Sequence, residues 1–149
     1  MKRVALGVFA GILLIGGVGP WFIYAIALSI FEGRPSLPKE SAISKSDAQR
    51  AWSEARESGE IRVVQLNPWH YAEMIVSGNN EIMPGERTAW IVARDYGALP
   101  SKGGGDLEWN LSRAALAIWL TRNWTAEQLV AKSFEIQEKK RRLRLEKLQ

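Results

Sequence analysis

With 149 residues, no cysteine and one histidine, the chain excludes disulfides, thiol chemistry, cysteine-ligated metals and any site built on clustered histidines. Its formal charge of +4 is concentrated at one end: from Lys132 onward seven basic and three acidic residues leave a net of +4, so the remainder is close to neutral. The 118 residues after Phe31 suffice for one small domain with one modest core.

After Lys2 and Arg3, the 28 residues from Val4 to Phe31 carry no charge. A helix needs about 20 predominantly apolar residues to cross ~30 Å of hydrocarbon, where the backbone must satisfy its own hydrogen bonds. Residues 1–31 are therefore expected to form an uncleaved transmembrane anchor. The rival is a cleaved signal peptide with Ala25-Ile26-Ala27 as its exit; the apolar run continues through Leu28, Ile30 and Phe31, which favours the anchor. Pro20, preceded by Gly16, Gly17 and Gly19, predicts a kink. Trp21 and Tyr24 beyond it suit a membrane interface. Gly7 and Gly11 form a small-residue motif and are the candidate contact for a homodimer through the anchor. Lys2 and Arg3 face Arg34, Lys39 and Lys45 across the span, so charge counting is even. A short basic start before a long exported segment favours a bacterial inner-membrane protein with a cytoplasmic amino terminus and a periplasmic domain.

Residues 32–45, with Pro35, Pro38 and a Ser/Lys-rich stretch, read as a linker. A helical domain is expected over 46–131. Its first helix starts near Ser46 or Asp47 and runs to Gly59. Ile61 to Leu66 reads as extended. Asn67-Pro68 marks the next helix start, which runs to Gly78. A third helix follows Pro84-Gly85 and ends before Gly97, and Leu99 to Gly105 reads as a flexible loop. Asp106 is the expected cap of a strongly apolar helix through Trp119 and Leu120, the expected centre of the core. Thr125 and Gln128 fit a capping box opening the last helix. Residues 132–149 read as a basic carboxyl-terminal helix or tail, a solvated face in the plainest reading. Its Lys139, Lys140, Arg141, Arg142 and Arg144 are candidate contacts to anionic lipid. Nucleic acid is not an expected partner of an exported domain.

No strong catalytic motif is present, and no cofactor or metal is expected. His70, between Trp69 and Tyr71, reads as a hydrogen-bonded structural residue. Gly103 to Gly105 lacks the lysine-serine ending of a phosphate loop. Asn110 and Asn123 begin formal glycosylation sequons inside or beside helices. Glycosyl transfer commonly uses paired carboxyl groups, and Glu73, Glu81, Glu86, Asp95, Asp106 and Glu108 are available. Asp95, Asp106 and Glu108 are the candidates for an enzyme. Most of the tryptophans read as core, each bringing ~150–250 Å² of burial.

The stretch from Trp109 to Val130 resembles a segment of the peptidoglycan glycosyltransferases of family 51, the transglycosylase modules of class A penicillin-binding proteins. Leu116-Ala117 matches a Leu-Ala pair in a family helix, and Thr125-Ala-Glu-Gln-Leu129 matches the helix start that follows it. The resemblance implies a mainly α protein with an anchored, truncated lysozyme-like domain. The family's Glu-Asp-x-x-Phe-x-x-His-x-Gly signature is absent, with Ala93-Arg-Asp-Tyr-Gly97 at best its remnant, and Arg113 stands where a helix glutamate is expected. No catalytic assignment transfers. The leading expectation is a non-catalytic envelope protein that binds peptidoglycan or an envelope protein. The rivals are a glycosyltransferase with unorthodox carboxylates and a structural subunit of a membrane assembly.

Overall fold

The computed structural model describes residues 17–39, 43–78, 81–97 and 105–148. Among them the chain is all helix and loop, with no strand: α1 over residues 17–29, α2 Lys45–Glu54, α3 Pro68–Ser77, α4 Glu86–Tyr96, α5 Asp106–Asn123 and α6 Ala126–Glu146. The Gly7 and Gly11 motif, the first half of the expected anchor and most of the 99–105 loop lie outside the described residues. No helix among the described residues is long and apolar enough to cross a membrane. The helix runs through Pro20.

Local chemistry fixes the helix ends. Asn67 accepts the His70 amide at 3.1 Å with Pro68 in the first turn, and Gly78 closes α3 at φ 68°. Thr125 and Gln128 form the reciprocal capping box of α6. Two expected caps shift by a residue or two. Ser44, not Ser46 or Asp47, caps α2, accepting the Asp47 amide at 3.1 Å. Gly105 caps α5, which makes Asp106 its first residue, where a carboxylate favours the helix dipole. The first of the domain helices also ends early, at Glu54, because Arg56 turns the chain at φ 60° before Gly59 is reached. Residues 61–67 pair with no strand; Val64 N–H donates to the Pro84 carbonyl at 3.0 Å instead.

The core is built around α5. Ala115, Leu116, Ala117 and Leu120 pack with Ala89, Val92 and Ala93 of α4, Leu129 and Ile136 of α6, and Ala27 and Leu28 of α1. The alanines, each at most 4% exposed, remove the bulk that would hold the helices apart. A second cluster joins Ala51 and Trp52 of α2 to Val130 of α6. The expected tail boundary at 131/132 thus falls inside α6, where Ser133 and Ile136 are buried. The expected anchor boundary at 31/32 also crosses a packed region. Phe31 stacks against Tyr96 with ring centres 5.7 Å apart, and the Tyr96 hydroxyl donates to the Glu32 carbonyl at 3.1 Å.

Candidate functional site

Two regions concentrate polar chemistry: a partly buried cluster between α3 and α4, and the corner where α1 meets the end of α5. The caps of α3 place His70 and Tyr71 toward α4, and Glu86 stands in the first turn of α4. The His70 Nε2 and one Glu86 carboxylate oxygen are 3.0 Å apart, with side chains only 11% and 4% exposed. The same oxygen accepts the Met83 amide at 3.0 Å. Trp90 Nε1 donates to the Tyr71 hydroxyl at 2.9 Å, and the rings of Tyr71 and Trp90 meet edge to face. Burial pushes the Tyr71 phenol well above its ordinary value, and the Glu86 carboxylate pushes the same way. His70 is therefore hydrogen-bonded, as expected, and ties α3 to α4. Its partner is a glutamate 16 positions away.

The three carboxylates considered for catalysis stand on two helices, Asp95 on α4 and Asp106 and Glu108 on α5. Asp95 meets Lys140 of α6 at 3.6 Å. Asp106 and Glu108 are exposed in the first turn of α5, and residues two apart on a helix point to different sides. Among the described residues no three His, Asp or Glu side chains stand close enough to hold a metal.

Of the basic candidates, Lys140 is turned to Asp95, and Arg141 bonds Glu54 of α2 at 2.8 Å and also Glu138. Lys139 and Arg142 border a groove of about 600 Å³ between α6 and the Pro38–Lys39 segment, and its walls alternate in charge with Asp95, Glu135 and Glu138. Arg144 lines a smaller groove with Glu54 and Lys140. At ~1.5 Å per residue, Lys139 lies ~20 Å along α6 from its cap.

Two arginines meet at the α1 corner, Arg122, which the sequence did not single out, and Arg34, counted there only as a charge flanking the expected span. Arg122, in the last turn of α5, lies over the Trp21 ring at 5.4 Å and donates to the Leu66 carbonyl at 3.2 Å. Arg34 lies over the Trp119 ring at 5.6 Å. An arginine closing an apolar helix is the one signal the sequence offers, and it does not say which ring the arginine meets. No protein-family model, curated protein or solved structure matches the chain.

Proposed function

We propose that this is a single-pass inner-membrane protein. Its helical domain, a truncated transglycosylase-like module of lysozyme-like descent, sits on the periplasmic face and binds cell-wall material or an envelope protein without turnover. The observation that carries the membrane part is the two-sided character of α1. One side, through Tyr24, Ala27 and Leu28, enters the domain core. The other shows Val18, Phe22, Ile23 and Ile26 to the outside, each at least half exposed, at the helical spacing of one face. Thirteen further uncharged residues, 4–16, precede it. A helix with one apolar side in protein and the other bare suits a segment emerging from lipid. The same packing disfavours cleavage after Ala27, which would leave a charged amino terminus at Leu28, inside the core.

The cell-wall part rests on the resemblance over 109–130, the stretch that forms α5, the capping box and the start of α6. Non-catalytic binding is supported by Arg113 at the expected glutamate position and by the engagement of Asp95 with Lys140. The bilayer is the first partner and peptidoglycan or an envelope protein the second. Tethering raises the local concentration of a weak binding face, and an anchor homodimer through Gly7 and Gly11 would add to it.

The test is the full chain in lipid nanodiscs with a lipid-linked disaccharide. Retention of the disaccharide without polymer is the expected result. Polymer formation abolished by Asp95→Asn, Asp106→Asn or Glu108→Gln would overturn the non-catalytic reading. Failure to retain either the disaccharide or isolated cell wall would overturn the cell-wall reading. For topology, Ser101→Cys in intact cells is expected to react with a membrane-impermeant maleimide.

A further inference from the structure

We propose that α3 lies on the bilayer surface beside the emerging anchor, with Trp69, Ile75 and Val76 set among the lipid headgroups and upper acyl chains. The inference rests on the anchor reading and extends it to a second, monotopic contact.

Helical α3 turns His70, Tyr71 and Met74 inward, whereas Trp69, Ile75 and Val76 are 42%, 78% and 88% exposed. Trp69, Ala72 and Val76 follow one stripe at helical spacing, Ile75 flanks it on one side and Glu73 on the other. The charge-poor outer face of α3 is thus apolar, and among the described residues nothing covers it. Exposed apolar surface of this kind marks a contact with lipid or protein.

Position decides for lipid. The residue leading into the α3 cap is Leu66, and both of its backbone groups are held by the end of α5. Its N–H donates to Thr121 Oγ1 at 3.1 Å, and its carbonyl accepts from Arg122 at 3.2 Å. That same guanidinium covers the Trp21 ring of α1. One arginine therefore joins the start of α3 to the helix that runs toward the uncharged residues 4–16. If α1 emerges from a bilayer near Trp21, the first turn of α3 stands at the same level, with Trp69 placed as an interfacial aromatic. Arg34 and Arg122 supply cations at that level for headgroup phosphates. Short helices with an apolar outer face and a tryptophan settle in that layer, driven by the apolar area they bury.

The chain has no cysteine, so single probes are unambiguous. Spin labels on Phe22→Cys, Val76→Cys and Ser46→Cys, each in the full chain reconstituted into phosphatidylethanolamine–phosphatidylglycerol vesicles, are compared for collision with oxygen and with a water-soluble nickel chelate. Ser46, exposed in the first turn of α2, serves as the aqueous reference. The expected result is an oxygen-to-nickel ratio several-fold above the Ser46 value at both Phe22 and Val76. A Val76 ratio equal to that of Ser46, with Phe22 high, overturns the α3 contact while leaving the anchor. Ratios equal to Ser46 at both sites overturn the anchor and the inference with it. Dipolar broadening between Val76 labels would assign the face to a second copy and also overturn the contact.

Discussion

At the scale of single residues, the cluster between α3 and α4 makes a specific demand on pH. Tyr71 ionises at about 10.0 in an unstructured chain, and burial, then the Glu86 carboxylate, hold it protonated well above that in the fold. Once the pH passes the unfolded value, the unfolded chain releases a proton that the folded chain keeps. Stability is thus fully present below that value and is lost as pH rises above it. One such group contributes a slope of up to ~1.4 kcal/mol per pH unit. Tyr71→Phe should remove this part of the slope between pH 10 and 11 in denaturant titrations of the detergent-solubilised chain. At neutral pH it should cost only about 1 kcal/mol, because the Trp90 N–H loses its acceptor. A variant whose alkaline slope matches the parent would show that the phenol is not held in its protonated form. The cluster was only half legible in the sequence. A lone histidine in an apolar stretch needs a polar partner, but whether Glu73, Glu81 or Glu86 supplies it depends on how α3 crosses α4.

At the scale of elements, the joint before α4 is a turn pressed against Val63. Gly85 sits at φ 84°, and a Cβ there would come within 2.6 Å of Val63 Cγ2 and 3.1 Å of its Cα. Gly59 has a similar φ of 74° with open space around it. An alanine at either position meets left-handed strain of ~1–2 kcal/mol. Only at Gly85 does it also drive the 61–67 segment away from α4, adding ~1–3 kcal/mol. Gly85→Ala should therefore lower the thermal midpoint about twice as far as Gly59→Ala, read by circular dichroism in one detergent. Equal losses would mean that Val63 moves aside freely. The element plan itself was readable because its signals are local. Asn67-Pro68, Gly78, Gly85 and the Thr125–Gln128 box act within four residues, and each stands where the spacing put it. Ser44 was passed over for Ser46 because a run of serines offers several equivalent caps. The position of α3 against α5 was not readable, since the bonds that set it, from Leu66 to Thr121 and Arg122, span more than fifty residues.

At the scale of the whole molecule, α1 is packed into the core on one side and bare on the other, which links the proposed anchoring to folding. Tyr24, Ala27, Leu28 and Phe31 are part of the domain core, so the domain does not begin where the apolar run ends. Half-burying one tyrosine and sealing Ala27 against α4 and α5 contributes about 2–3 kcal/mol at ~25 cal/mol per Å² of apolar surface. A small domain has only about 5–15 kcal/mol to lose. A chain starting at residue 28 also carries a charged amino terminus where Leu28 is 8% exposed. Compared with a chain starting at residue 17, it should unfold roughly 10 °C lower. The longer chain should in turn need detergent to stay dispersed, because it keeps the exposed faces of Val18, Phe22 and Ile26. Calorimetry of the two truncations, in the same detergent, separates the contributions. Equal midpoints would mean that α1 rests on the domain without supporting it, and the anchor would then be a loose tether. A lower midpoint for the shorter chain would make α1 part of the domain, and in the proposed anchored protein the packing that stabilises the domain would also fix its orientation on the membrane.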